Sequence, residues 1–287
     1  MIRLKFQARK EVLFAFMLFP SLIGLLVFFI APFILSAQMM VIDNPVGRNF
    51  VGLFHFWATL GNPAFQLAIR NTALFILMSV PLNMAFALLI ATALRRVGGL
   101  GRGILGAFFL LPLVIPSGSV VHFWQSLFGL NGFLNRLFFN EPINWLNLEI
   151  SIVFIVLIFL WKNVGFNIVL YLAGLNLIPK DYYDNAAICG AGKVRQFFMI
   201  TLVYLMPTTF MTLLLSIVQS FQAFREIFLL TGPFPHPSLY MLQHYLNNQF
   251  AALDYQRMVS AAYILTLGIV AIVLVMLYVQ RRVMNYD

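Results

Sequence analysis

The sequence predicts an all-α, polytopic membrane protein with six transmembrane helices and cytoplasmic N and C termini. Three observations predict it. First, 62% of the 287 residues are hydrophobic and only 9% are charged, against about a quarter charged in soluble domains. A soluble core of this size cannot hide so much apolar surface, so the solvent is a bilayer. Second, the chain holds long runs without charge: Val12–Ile42, Asn71–Leu94, Gly103–Asn135, Gln196–Phe224 and Met258–Gln280, with Ile150–Pro179 interrupted only by Lys162. Each reaches the roughly 20 apolar residues that a spanning helix needs. Third, the basic residues are segregated. Twelve of the 18 fall on one side: Arg3, Lys5, Arg9, Lys10, Arg95, Arg96, Arg102, Lys180, Lys193, Arg195, Arg281 and Arg282. By the positive-inside rule that side is cytoplasmic.

The spans fall near 12–37, 70–94, 105–128, 150–175, 200–226 and 258–280, within one transmembrane domain covering 1–287. The first has the basic start of a signal peptide. Its apolar run is about twice a signal core and no A-x-A site follows, so it reads as a retained span. The loop Asp43–Ile69 is polar, with Phe54, Phe56 and Trp57 suited to the membrane interface. Asn131–Leu148 carries turn signals at both ends. Leu230–Arg257 holds the rigid "TGPFPHPS" turn and then a short helix, "YMLQHYLNNQF". Pro20, Pro32, Pro81, Pro112, Pro116 and Pro207 lie in or near spans, where they either kink a bundle that rearranges or reflect the ordinary frequency of proline there.

Composition and motifs exclude several functions. The +9 net charge reads as topology, and no aromatic-and-basic platform suggests nucleic-acid binding. There is no H-E-x-x-H, G-x-S-x-G or P-loop. The four histidines lack metal-ligand spacing. No pair of intramembrane acids offers a proton relay. The lone Cys189 forbids an internal disulfide and falls on the cytoplasmic side, where a free thiol is normal.

Uncharged polar groups cluster on two spans. Ser216, Gln219, Ser220 and Ala223 share one helix face, with Gln222 beside it. Asn163, Phe166, Asn167 and Leu170 repeat the pattern in span four, near Trp161 and Tyr171. Asn83 stands alone in span two. Amides, hydroxyls and rings without charge suit a neutral, hydroxyl-rich solute; the same groups also serve as interhelical hydrogen bonds. Lys162 and the Arg225–Glu226 pair need partners, and a structural role outweighs solute contact for each.

The polar island "YYDNAAICGAG" (182–192) lies between spans four and five. Pro179 ends span four. Asp181 is a good N-cap and Asp184, three residues later, completes a capping-box spacing. Ala186 and Ala187 keep the helix slim. Gly190 and Gly192 permit a sharp turn. The product is a short helix, a turn, and a second helix leading into span five. It is either an ordinary loop helix or an element shaped to dock in another protein's groove.

Here the chain resembles the ABC-importer permeases, whose EAA loop reads E-A-A-x(3)-G-x(9)-I-x-L-P. Asp184, Asn185 and Ala186 fall on E-A-A, Gly190 on the glycine, Ile200 and Leu202 on I-x-L. Asp184 replaces Glu, Asn185 the first alanine and Val203 the proline, while Pro207 matches a second proline often found there. Cys189 sits where sugar permeases often carry Asp. The stretch "FVGLFHFWATLGNPAFQLAIRNTALFILMSVPLNMAFALLIATAL", then "LFGLNGFLNRLF", "INWL", "WKNVGFNIVLYLAGLNLIP" and "FREIFLLTGPFP" are similar, in order, to carbohydrate-uptake permeases of the maltose-type, larger-permease kind.

The resemblance implies a type I ABC-importer permease fold in a bacterial cytoplasmic (inner) membrane. The loop 180–199 would be the coupling element, with Asp181, Asp184, Asn185, Ala186, Gly190 and Gly192 forming the docking helix and its turn. It would seat in one of two cytoplasmic ABC ATPase subunits, which would bind ATP and Mg, no cofactor being bound by this chain itself. A second, homologous permease would complete the pore, and an extracytoplasmic solute-binding protein would deliver a sugar. The family's sugar-contacting positions fall on Asn163, Phe166, Ser216, Ser220 and Ala223, the last departing from an amide. Rival readings are a permease for another polar solute such as glycerol phosphate, a standalone carrier, and a membrane enzyme, which would need reactive groups on a shared face.

Overall fold

A computed structural model describes residues 16–138 and 142–284. The basic N-terminus, the first residues of the expected first span and the extreme C-terminus lie outside them. The chain falls into two compact units.

The first unit comprises the described residues up to Asn62 together with Gln249–Thr266. Its long helix α1 (Phe16–Val41) is apolar and buries none of its core window. A π-helical stretch, Leu26–Ile30, precedes Pro32. A proline ring meets the carbonyl four residues back, here that of Phe28, and a widened turn moves that carbonyl aside. The ring of Phe33 stacks on Tyr263 at 4.5 Å, and the Tyr263 hydroxyl donates to the Phe33 carbonyl. After α1 the loop is closed by Asp43, which accepts from the Asn49 amide (Nδ2, 2.9 Å) and from the backbone N–H groups of Asn44 and Asn49. The Asn49 side-chain bond, helped by these backbone bonds, holds the Asp43 carboxyl below the ordinary carboxylate range against the opposing effect of desolvation. A short helix α2 (Phe54–Leu60) follows.

The second unit comprises Pro63–Asn248 and the described residues from Leu267. Its frame is α3 (Pro63–Arg95) packed along α7 (Ser151–Asn176), with α4 (Gly99–Val114) on α7 and α10 (Met206–Gln222) against both. Small residues let these helices approach, as membrane packing requires. A Cβ on Gly165 would lie 1.9 Å from the Phe109 carbonyl oxygen, and one on Gly174 2.5 Å from Thr208 Oγ1. The core has two centres. Phe75, Trp124, Phe159 and Ile227 belong to one; Ala87, Ile168, Tyr171 and Leu205 belong to the other.

The expected third span is not one rod. It is α4 followed by α5 (Ser117–Phe128) and α6 (Phe133–Phe138), bent by 94° at the break. Ile115 is extended (φ −68°, ψ 128°) because Pro116 follows it and disfavours the helical region for its predecessor. Among the described residues five helices are long and apolar enough to span a membrane, or six where the bent pair counts as one span. Pro81 sits inside α3 without ending it. A second π-helical stretch lies at Phe197–Thr201, and Pro207 falls beyond it in the first turn of α10.

Between α7 and α10 lie α8 (Lys180–Ile188) and the single turn α9 (Lys193–Gln196). After α10 come α11 (Phe224–Thr231), α12 (Leu242–Ala251) and α13 (Tyr255–Met284). Hydrogen bonds fix which ends meet. At one end Arg95 reaches the Tyr183 hydroxyl and Arg102 reaches Asn176, so the two internal basic loops share a face. At the other, Asn71 donates to the carbonyls of Pro237 and Tyr240, and Ser151 pairs with Ser238. Among the described residues there is no strand beyond one isolated bridge, Ile42 with Phe50.

Candidate functional site: a polar pocket and an exposed loop helix

The two polar faces expected from the sequence meet, but not all their members end in one place. Asn167 on α7 donates to Asn83 Oδ1 on α3 (3.1 Å) and to Ser216 Oγ on α10 (2.8 Å). All three are fully buried. Asn167 and Ser216 thus join three helices, which is the interhelical alternative for these two positions. Asn83, a lone polar group in the sequence, is the third partner.

Farther along α7 and α10 a different set surrounds a pocket of about 210 Å3. Asn163, Gln219 and Ala223 line it, together with Gln222. Asn163 Nδ2 is held by the Phe159 carbonyl at 2.9 Å. Gln219 Oε1 is buried and has no hydrogen-bond partner among the described residues, an acceptor that a ligand hydroxyl would satisfy. Lys162, Arg225 and Glu226 complete the polar wall. A larger open depression of about 750 Å3, with Phe221, Phe224 and Phe228 in its lining, shares Gln222 and Arg225 with this pocket. Polar hydrogen-bonding groups therefore continue into an aromatic surface.

The remaining expected members are elsewhere. Trp161 stacks on Phe123 (5.7 Å) and meets Trp124 edge-on. Phe166 is half-buried outside the pocket lining. Ser220 turns its hydroxyl back onto the Ile217 carbonyl at 2.6 Å. Helical periodicity placed these side chains on a shared face, but a face has a width, and packing decides which part of it meets open space.

One group was missed by sequence reasoning. Ser117, the first residue of α5, donates to Glu226 Oε1 at 2.6 Å. Lys162 forms an ion pair with the same oxygen and lies 3.4 Å from Ser117 Oγ. The Ile115–Pro116 break delivers Ser117 there, and the "IPS" breaker in the sequence was the available signal.

The loop helix α8 is the second candidate site. Its N-cap is Pro179, with no side-chain cap bond. Asp181 is therefore not the cap; it sits in the first turn, and Asp184 lies a turn further on, so the capping box does not form. Pro179 has already left the helical region (ψ 142°), which lets the helix begin at Lys180. Asp181, Asp184 and Asn185 are exposed and Ala186 is half-buried. The helix ends in a Schellman turn: Gly190 N–H donates to Ala187 O, and Ala191 N–H to Ala186 O, both at 2.9 Å. Gly190 has φ +78°, which only glycine adopts without strain. Gly192 is extended and caps α9. The inner face of α8 is anchored by Tyr183, whose hydroxyl pairs with Arg95 Nη1 (3.1 Å) and Thr201 Oγ1 (2.9 Å). Its outer face is exposed, and Ile188 is 85% exposed.

Among the described residues no cluster of three His, Cys, Asp or Glu could hold a metal ion. A likeness in fold is close: the chain is similar to a crystal structure of a bacterial ABC transporter involved in importing the acidic polysaccharide alginate. The TM-score is 0.83 at 22% identity, with 98% of this chain and 99% of that chain covered. A second structure of that transporter, with an alginate pentasaccharide-bound periplasmic protein, matches equally. In sequence, the trehalose/maltose transport permease MalF of Thermococcus litoralis is 33% identical, covering 80% of this chain and 81% of its own. The arabinooligosaccharide transport permease AraP of Bacillus subtilis is 33% identical, covering 74% and 69%. The sn-glycerol-3-phosphate transport permease UgpA of Agrobacterium fabrum is 28% identical, covering 83% of each. With residues 83–285 matching the model of the binding-protein-dependent transport system inner membrane component, this chain belongs to that family and is a multi-pass transport permease.

Proposed function

We propose that this chain is the permease subunit of an ATP-driven importer for a sugar or oligosaccharide, set in a bacterial cytoplasmic (inner) membrane with both termini inside. The whole chain serves as one transmembrane permease domain. The observation that carries the coupling half of this reading is α8, a capped, anchored helix between two spans whose outer face is bare. Asp181, Asp184, Asn185 and Ala186 present that face, and Gly190 and Gly192 shape the turn that returns the chain to the membrane. The partner is one of two cytoplasmic ATPase subunits, which bind ATP and Mg2+; this chain binds neither and catalyses nothing. A second, homologous permease lines the other half of the pore, and an extracytoplasmic binding protein delivers the solute.

The pathway half rests on the pocket around Asn163, Gln219 and Ala223. Amide groups hydrogen-bond hydroxyls, and the aromatic surface beyond offers flat apolar faces to sugar rings. The names of the relatives support a saccharide. Closure of the ATPase dimer would move α8, and Tyr183 would pass that motion to α3 and to the segment leading into α10, driving alternating access.

A second reading is a phosphorylated polyol, favoured by Arg225 in the same pocket and by the glycerol-phosphate permease among the relatives. Lys162 is already neutralised by Glu226, which leaves one cation for such a ligand and favours the saccharide.

Co-purification from mild detergent, comparing wild type with Asp184→Lys, tests the assembly. Recovery of an ATPase and a second permease, weakened by the variant, supports it. Recovery of the chain alone in both samples returns it to a standalone carrier. Uptake of labelled saccharides with and without excess glycerol phosphate separates the two solute readings.

A further inference from the structure

A second pocket, unrelated to the solute path, lies on the face shared by the two internal basic loops. It has a volume of about 170 Å3, and its wall carries Arg95, Arg96 and Lys193 without a single carboxylate. Neither of the two ion pairs among the described residues involves them. Three cations held together with no counter-charge repel one another, so the arrangement is stabilised by an anion.

The pocket is built, not a chance grouping of surface lysines. Arg95 closes α3 and is half-buried. Its guanidinium lies 5.1 Å above the Tyr183 ring, and Nη1 donates to the Tyr183 hydroxyl while Nη2 reaches the Ile178 carbonyl at 3.4 Å. Two of its five donors are engaged, which leaves a pre-oriented fork for a planar or tetrahedral oxyanion. Tyr183 is fixed in turn by Thr201. Gln196 is tied to the Ala191 carbonyl at 2.9 Å, which sets the turn that brings Lys193 to the rim.

The rest of the lining says what carries the anion. Leu175 and Phe197 are apolar members of the same wall. In the helical segment that carries Phe197 and leads into α10, Phe198, Met199 and Val203 are 60%, 62% and 48% exposed. A basic pocket at the ends of spanning helices, with apolar members in its own wall and exposed apolar residues, the apolar strip, on the adjoining helical segment, matches an amphiphile with an anionic head. We infer that this pocket binds the phosphate of an anionic phospholipid, whose chains cover the apolar strip. Free phosphate shares the head-group chemistry but has no use for the strip. Bound lipid would tie the end of α3, the loop helix α8 and the segment leading into α10 into one rigid piece, making the loop helix sensitive to the membrane's anionic content.

The test uses the full chain in its purified assembly, in nanodiscs of zwitterionic lipid with a minor fraction of phosphatidylglycerol. Lipid adducts are read by native mass spectrometry. Arg96→Gln with Lys193→Gln removes two exposed charges and should weaken phosphatidylglycerol retention roughly tenfold or more. Arg95→Lys, which keeps the charge but loses the fork, should weaken it as well. The control Arg281→Gln with Arg282→Gln, on the exposed tail of α13, should not. Equal loss in the control, or no loss in either pocket variant, overturns the inference. So does displacement of the lipid by millimolar inorganic phosphate, which would assign the pocket to the free ion. Solute uptake is measured in parallel, and adduct loss with uptake specificity intact separates this site from the transport pathway.

Discussion

Lys162 of α7 and Glu226 of α11, 64 positions apart, form a partly buried ion pair, with side-chain exposures of 17% and 7%, that Ser117 completes. It joins the middle of one spanning helix to the end of another and to the start of α5 at the proline break. A charge at this depth is tolerated only with a partner. The pair also occupies one edge of the polar pocket, so it takes a cation and an anion out of play for the solute.

Removing one partner strands the other. Lys162→Met should destabilise the folded chain by about 3 kcal/mol, at the lower end for broken buried pairs because the lysine keeps some water access. Lys162→Met with Glu226→Leu should recover most of that loss. Unfolding in detergent monitored by tryptophan fluorescence reads both; equal destabilisation in single and double variants would count against the pairing.

Asn163 and Gln219 should separate from Asn167 in their effects. Asn163→Leu and Gln219→Leu are expected to reduce saccharide uptake several-fold while leaving the unfolding midpoint close to wild type. Asn167→Leu breaks bonds to two helices and should lower stability by about 1 kcal/mol, the usual scale for interhelical hydrogen bonds in membranes. Uptake and unfolding measured on the same preparations give the contrast. Identical behaviour of all three variants would return Asn163 and Gln219 to a packing role.

Asp184→Lys should leave the subunit inserted and folded but lower solute-stimulated ATP hydrolysis of the assembled complex by roughly tenfold or more, as reversing an interfacial charge does. Gly190→Val should act in the same direction by another route. It forces a β-branched residue to φ +78° and opens the turn that ends α8. Normal hydrolysis and uptake by Asp184→Lys would sink the docking role of this helix.

His244 on α12 lies in a wholly buried aromatic setting, against Phe224, Phe228 and Tyr240. Nδ1 accepts from the Met241 N–H at 3.2 Å. Burial pushes its pKa down to about 4, so the folded chain holds the neutral ring while the unfolded chain protonates near the usual 6.5. The folded state therefore binds fewer protons between these values. Stability is full above about pH 6.5 and declines as pH falls toward 4, by up to about 3 kcal/mol. His244→Asn, which keeps an acceptor for the Met241 N–H, should flatten that slope. Thermal unfolding between pH 4 and 7.5 checks it.

Gly165 sets how closely α4 approaches α7. Gly165→Ala places a methyl group against the Phe109 backbone, and overpacking of this kind usually destabilises by about 1–3 kcal/mol. The loss should appear as lower yield and a lower unfolding midpoint, with Gly268→Ala, whose added Cβ meets nothing within 4 Å, unchanged.

Much of the helix inventory was legible. Apolar runs gave the spans because a bilayer demands internally bonded helices of fixed length. The loop helix was legible in "PKDYYDNAAICGAG", and Gly190 does supply the left-handed turn. Its start was misplaced by two residues because Asp181 is the better capping side chain, yet Pro179 was already extended. The break in the third span was not read, although Pro116 was noted. In Pro81 the same residue type leaves its helix unbroken, so proline alone does not say which response the surroundings will choose.

The sequence by itself determined a six-span permease, the segregation of its basic loops and the two polar helix faces, because periodicity and charge are local properties that the membrane reads directly. Only the tertiary structure decided what each polar group does. Asn167 and Ser216 became interhelical bonds, Asn163 and Gln219 came to border open space, and Lys162 found Glu226, with Ser117 brought to the pair by the helix break at Pro116. The reason is geometric. Residues on one helix share a face by spacing alone, but whether that face meets a backbone, a partner side chain or a cavity depends on the distance to the next helix. Small residues such as Gly165 and Gly174 set that distance, at positions remote in sequence from the groups they bring together.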